Sequence, residues 1–130
     1  AKSIPGSAER IYQGGFHFID FTDVNNPQET AIYQVPEVGS HNHWVEGDIL
    51  YAGYYYGGIR VLDISGELLG DLYAQGREIA FFEGRDPNGK IANETNVWGV
   101  IPYKGLIYFA DHYNGLWAVK LVDEEPLGTN

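Results

Sequence analysis

The stretch ILYAGYYYGGIRVLDIS, residues 49–65, decides how this chain folds. It contains two runs in which apolar residues recur at every second position, residues 49–52 and 59–64, separated by a Gly-Gly pair at 57–58. A period of two is typical of β-strands, and β-branched and aromatic residues suit a pleated surface. Paired glycines supply the positive φ that a tight hairpin needs. The stretch therefore predicts an antiparallel β-hairpin.

Similar runs recur along the chain, at residues 16–21, 78–82 and 106–110. Turn signals lie between them, including Asn-Asn-Pro at 25–27 and Asn-Gly at 114–115. The best candidate for a helix, residues 67–83, is interrupted by Gly70 and Gly76, which favour a loop followed by a strand. The predicted fold class is all-β.

The central strand motif is repeated. GIRVLDI at 58–64 matches GFHFIDF at 15–21 with an offset of 43 residues, and GLWAVKL at 115–121 with an offset of 57. The second match extends backwards, because ILYAGYYYG at 49–57 aligns with LIYFADHYN at 106–114. A further aromatic strand start precedes each hairpin, at 40–45 and 96–100.

A period near 43 residues with three or four strands per unit is typical of a β-propeller blade. The sequence predicts about two and a half to three four-stranded antiparallel blades in one partial propeller domain over residues 1–130. The repeat units fall at about 10–39, 40–83 and 95–122, with an insertion loop at 84–94. Since a blade buries its faces against its neighbours, we expect the remaining blades to come from a larger protein or from other chains.

Charge and composition exclude several functions. The 8 Lys and Arg stand against 18 Asp and Glu, a net charge of −10, which argues against nucleic acid because phosphate binding needs a cationic surface. The absence of cysteine excludes disulfides and thiolate metal sites. No apolar run approaches the ~18 residues that span a bilayer. The start lacks the apolar core of a signal peptide, so the chain is either cytosolic or has lost a leader.

The repeat resembles the LVIVD-repeat family of bacterial and archaeal propellers. GIRVLDIS at 58–65 is close to that family's core motif, and residues 18–27 match its aspartate-rich strand end and proline turn. Residues 40–65 and 97–121 are similar to blades of large secreted members, the second to their last full blade. The resemblance implies an exported or surface-associated, extracytoplasmic protein. Lys120 departs from the pattern, because Asp20 and Asp63 occupy the matching positions.

Two histidines are candidate metal ligands. His41 and His43 are two residues apart on a predicted strand, so we expect both to point to one face. With a carboxylate from another blade they would hold a divalent metal in the central channel. The competing interpretation is a packed pair that backbone carbonyls satisfy, with no cofactor, and we prefer it because the sequence places no third ligand.

Two aspartates end equivalent strands. Asp20 and Asp63 are each followed two positions later by Thr22 or Ser65. One interpretation is a carboxylate pair for acid–base catalysis. Repetition in successive units favours a structural role instead, in which each short carboxylate accepts backbone N–H bonds at a turn.

Aromatic residues are the candidate partner-binding surface. Tyr and Trp give large, rigid contact areas with a polar tip. The candidates are Tyr54, Tyr55, Tyr56, Trp44 and Tyr113, and we expect the three tyrosines to straddle a hairpin at an exposed rim. Stacking on a carbohydrate would use the same group.

No nucleophile elbow, phosphate-binding glycine loop or His-Glu-x-x-His motif is present. The sequence therefore favours a non-catalytic scaffold that binds another protein, with a peripheral place in a membrane-attached assembly as one setting. The alternatives are a metal or enzymatic site at His41 and His43, and a carbohydrate-binding module.

Overall fold

A computed structural model describes residues 14–122 of the chain. This part is built from ten strands, and no residue in it is helical, which confirms the all-β class. Accordingly, the described residues contain no helix long and apolar enough to cross a membrane. The strands are β1 (Phe16–Asp20), β2 (Gln28–Tyr33), β3 (His43–Glu46), β4 (Ile49–Gly53), β5 (Ile59–Asp63), β6 (Gly70–Asp71), β7 (Glu78–Phe82), β8 (Val97–Tyr103), β9 (Leu106–Asp111) and β10 (Gly115–Val119).

The strands form three sheets. The first sheet has the order β1-β2-β6, the second β3-β4-β5-β7 and the third β10-β9-β8. Only the second is the four-stranded antiparallel unit that the repeat predicts. In the first, β6 pairs with β2 in parallel, and the third has three described strands. No sheet closes on itself in residues 14–122. The predicted first unit begins at residue 10, so part of it lies outside the described residues.

Matching stretches of sequence take matching places in the sheets. The hairpins β4–β5 and β9–β10 have the same register, since Gly53 pairs with Ile59 and, 57 positions later, Ala110 pairs with Leu116. The pairs β1–β2 and β5–β7 also correspond, and each shifts register after its third residue, at Phe18/Ile19 and Val61/Leu62. The repeat is therefore structural as well as sequential.

The repeated glycine has a steric cause. At Gly58, with φ of 73°, an added Cβ would lie 2.1 Å from the carbonyl oxygen of Phe82 on the neighbouring strand β7. At Gly15 the corresponding Cβ would lie 2.8 Å from the carbonyl oxygen of Tyr33 on β2. Real Cβ atoms do not approach oxygen this closely, so both positions exclude any side chain. Gly115, where no outer strand is described, has nothing within 4 Å of the same point.

The second sheet is buried on both faces along its central strands β4 and β5, whereas its edge strand β3 is exposed. The central residues Leu50, Ala52 and Leu62 belong to a core cluster shared with the first sheet. The alternate residues Ile59 and Val61 belong to a second cluster shared with the third sheet. Period-two alternation thus sends successive side chains of β4 and β5 to opposite neighbours, and the three sheets pack face to face in chain order.

A charged group is buried between the first and second sheets. Arg60 is only 8% exposed. Its Nη1 contacts both carboxylate oxygens of Glu78 at 3.3 Å, and its Nε donates to the carbonyl of Gly57 at 2.9 Å. The Tyr33 hydroxyl donates to Glu78 from the first sheet. Burial, and then this carboxylate, raise the pKa of Tyr33 well above its ordinary value.

We expect Glu78→Ala to lower the free energy of unfolding by about 3 kcal/mol, because it leaves the buried Arg60 guanidinium with only a longer ion pair, to Glu83 at 3.9 Å. Denaturant unfolding followed by circular dichroism measures this loss. Glu67→Ala, at an exposed carboxylate in the β5–β6 connection, is the control and should change stability by no more than about 0.5 kcal/mol. Equal losses in both variants would contradict the buried-pair assignment.

Candidate functional site

The second and third sheets are joined by backbone hydrogen bonds at one end. The turn after β4 meets the start of β8, where Tyr55 and Val97 exchange two N–H···O bonds of 3.0 Å. The segment before β3 also contributes, because Asn42 N–H donates to the carbonyl of Trp98 at 3.1 Å. These bonds fix the position of the side chains described next.

Three rings form an aromatic stack at this junction. The imidazoles of His41 and His112 both stack on the Trp98 indole, with centroids 5.2 and 4.9 Å away and planes 17° and 11° from parallel. The Tyr55 ring meets His41 edge-on at 5.2 Å, and the Tyr113 ring meets His112 at 6.0 Å. We call His41, Trp98 and His112 the aromatic stack.

Polar contacts orient the stack. His41 Nδ1–H donates to the carbonyl of Trp98 at 3.1 Å, since a carbonyl oxygen only accepts. The indole Nε1–H of Trp98 donates to Asn96 Oδ1 at 3.0 Å. Trp98 remains 43% exposed. The indole is therefore held by its neighbours and is still partly accessible.

The Asp111 carboxylate holds the turn that carries His112 and Tyr113. This carboxylate is 4% exposed at the end of β9. Its Oδ1 accepts the backbone N–H groups of Asn96, Tyr113 and Asn114, and its Oδ2 accepts the Thr95 hydroxyl. The same carboxylate therefore holds the β9–β10 turn and the start of β8 together. The loop at 84–94, which contains no strand, packs on this turn through Lys90 N–H and the Tyr113 carbonyl, at 3.0 Å.

A small pocket lies beside the stack. Its volume is about 190 Å³, and its lining residues are Glu37, Val38, Gly39, Tyr55, Tyr56, Asn96 and Trp98. Glu37 and Tyr55 have φ of 66° and 37°, a conformation that L-residues rarely adopt. Strained backbone of this kind concentrates at ligand-binding positions. We refer to it as the Glu37 pocket.

A wider groove runs between β3 and β8. Its volume is about 520 Å³, and it is lined by His41, Asn42, His43, Trp44, Gly99, Val100 and Ile101. Trp44 is 47% exposed in this groove and pairs across the strands with Tyr51. The predicted partner-binding residue Trp44 therefore lies near the stack but outside the Glu37 pocket.

The two candidate metal ligands contact different sheets. His41 precedes β3 and packs on Trp98 of the third sheet, whereas the His43 ring meets Phe16 of the first sheet edge-on at 5.1 Å. Residue 41 is outside the strand, so the rule that places residues two apart on one face does not apply to it. Between residues 14 and 122 no group of three His, Cys, Asp or Glu side chains is close enough to hold a metal ion.

The three consecutive tyrosines have different environments. Tyr54 is fully buried, and its hydroxyl donates to the carbonyl of Tyr33 at 3.0 Å. The expectation that Tyr54 lies at an exposed rim is therefore wrong, because Tyr54 continues the inward alternation of Leu50 and Ala52. Tyr56 is 44% exposed, and Tyr55 is half-buried.

Asp20 and Asp63 each cap a turn. Asp20 Oδ1 accepts the hydroxyl of Thr22 at 2.6 Å and its N–H at 2.8 Å, and Asp63 Oδ1 accepts the N–H of Ser65 at 2.8 Å. These bonds favour the ionised form, so the hydroxyl and then the N–H of Thr22 lower the pKa of Asp20. Ser65 lowers the pKa of Asp63 in the same way.

A pH prediction follows for Asp63. Its pKa is lowered in the folded state from an ordinary value of 3.8, so its contribution to stability is complete above pH 3.8 and is lost as the pH falls further. Asp63→Asn retains an acceptor oxygen but does not titrate. We expect the free energy of unfolding to fall less steeply below pH 3.8 in Asp63→Asn than in the native chain, as measured by urea unfolding at several pH values. Parallel curves would contradict the prediction.

Sequence reasoning missed two residues of this site. No sequence pattern singles out Glu37, because only its left-handed backbone conformation distinguishes it. His112 was not among the candidate residues, although it aligns 57 positions after Tyr55 at the same hairpin turn. Comparison of the chain with protein-family models, with curated proteins and with solved structures gives no match.

Proposed function

We propose that residues 14–122 are a section of an LVIVD-type β-propeller, and that the chain is a non-catalytic, extracytoplasmic scaffold that binds a protein partner. Three sheets packed face to face in chain order support the architecture. Equivalent positions build both inter-sheet contacts, as in a propeller. A peripheral subunit of a membrane-attached assembly is the setting that we propose.

The observation that carries the binding proposal is the Glu37 pocket. Its lining residues include Tyr55, Tyr56, Trp98 and Glu37. The face of an aromatic ring attracts a cation by its quadrupole, with an energy of about 0.5–2 kcal/mol, and the Glu37 carboxylate supplies an opposite charge. The chain also carries a net charge of −10, which favours a basic partner. We infer that the pocket receives a Lys or Arg side chain of the partner protein.

Two alternatives have less support. A sugar stacks on an open aromatic face, but two imidazoles are already stacked on Trp98. A metal or enzymatic site at His41 and His43 needs rings that converge, whereas these two contact different sheets. The pocket therefore favours a side chain of a protein over a carbohydrate or an ion.

The binding proposal predicts a difference between two matched small molecules. Titrating N-acetyl-lysine methylamide into the labelled chain should shift the indole N–H resonance of Trp98 and leave that of the core residue Trp117 in place. N-acetyl-norleucine methylamide, which lacks the charge, should cause much smaller shifts. NMR spectroscopy resolves the indole signals of the three tryptophans.

A charge-removing variant completes this test. Glu37→Gln should weaken lysine binding about fivefold, the equivalent of about 1 kcal/mol for an exposed ion pair. Glu46→Gln, at an exposed carboxylate of β3, is the matched control and should bind like the native chain. Equal shifts with the lysine and norleucine derivatives, or a Trp98 signal that does not move, would refute the basic-side-chain proposal.

A further inference from the structure

The outer faces of the first and third sheets carry exposed apolar side chains and lack a described neighbour. The face of the third sheet that points away from the second carries Tyr108, Leu116 and Ala118, and Leu116 is 77% exposed. The face of the first sheet that points away from the second carries His17 and Ile19, and Ile19 is 40% exposed. We call them the trailing face and the leading face.

The trailing face repeats a surface that is buried one sheet earlier. Leu116 and Ala118 occupy the positions of Ile59 and Val61, 57 residues before them, in hairpins of the same register. Ile59 and Val61 are 2% and 1% exposed, because the third sheet covers them. The trailing face therefore has the composition of a face that a following sheet covers.

The leading face repeats the opposite surface. Ile19 occupies the position of Leu62, which is fully buried against the first sheet. The pair His17 and Glu29, 2.7 Å apart and about half exposed, corresponds to the buried pair of Arg60 and Glu78. The leading face therefore has the composition of a face that a preceding sheet covers.

The two inter-sheet contacts have the same polarity. In each, the trailing side of one sheet packs on the leading side of the next. A surface of this kind matches a different surface, not itself, so it gives head-to-tail association. The trailing face at one end is the natural complement of the leading face at the other.

We propose that two copies of this chain associate head to tail, with the trailing face of one copy packed on the leading face of its partner. The inference rests on the propeller architecture proposed above. Both faces belong to the same chain, and each repeats one side of a contact that is buried between its sheets, so a second copy supplies the matching face.

Two variants, each with one face blocked, test this proposal. Leu116→Lys places a charge on the trailing face and Ile19→Lys places one on the leading face. Val24→Lys, at a side chain 75% exposed in the β1–β2 turn, is the control with the same added charge. Light scattering coupled to size exclusion at about 100 µM, compared with the 14.5 kDa monomer mass, gives the assembly state. Circular dichroism checks that each variant is folded.

We expect the native chain and Val24→Lys to associate, and each blocked variant to be monomeric alone. An equimolar mixture of the two blocked variants should give a 1:1 heterodimer that grows no further, since one intact face of each kind remains. A monomeric native chain would overturn the proposal. So would an Ile19→Lys variant that associates as the native chain does, because that result indicates a symmetric contact between two trailing faces. Lysine binding at Trp98 is measured separately, so a failure here is distinguishable from a failure of the proposed binding site.

Discussion

The structure depends on the burial of the second sheet from both sides. Strand alternation sends Leu62 to the first sheet and its neighbour Val61 to the third, and both side chains are at most 1% exposed. Burying an aliphatic side chain of this size contributes about 1.5–3 kcal/mol. Strands with two apolar faces are not stable in water without a packing partner on each side. Each sheet is therefore held in place by the sheets that pack on it. The same packing sets the distances between the residues of the candidate site.

The strands and their repeat could be predicted because they depend on local rules. Alternation located β1, β4, β5, β7 and β9, and the recurring glycine marked the same hairpin position in each unit. β6 could not be predicted, since two residues carry no periodicity. It exists because Leu72 is fully buried and its N–H donates to the carbonyl of Ile32 at 2.9 Å. The propeller itself stays a proposal.

The candidate site was harder to predict because it joins residues distant in sequence. His41, Trp98 and His112 meet only when the second and third sheets are in contact. Alternation in β4 was sufficient to place Tyr54 inside, but the run of three tyrosines suggested an exposed tip. The aromatic composition thus indicated which residue types form the candidate site. The packing of the sheets decides which of these side chains are accessible.

The excursion of the chain through β6 makes the two inter-sheet contacts unequal. The connection between β5 and β7 leaves its own sheet, pairs with β2 through β6 and returns. A loop of the second sheet is therefore hydrogen-bonded to the first sheet. The third sheet meets the second through side chains, a short backbone bridge at Tyr55 and Val97, and one bond from the Asn42 N–H to the Trp98 carbonyl. Under tension or partial denaturation we expect the first two sheets to stay together and to separate from the third. The seam beside the aromatic stack is therefore the place where the molecule opens first, and amide hydrogens there would exchange ahead of those in β2.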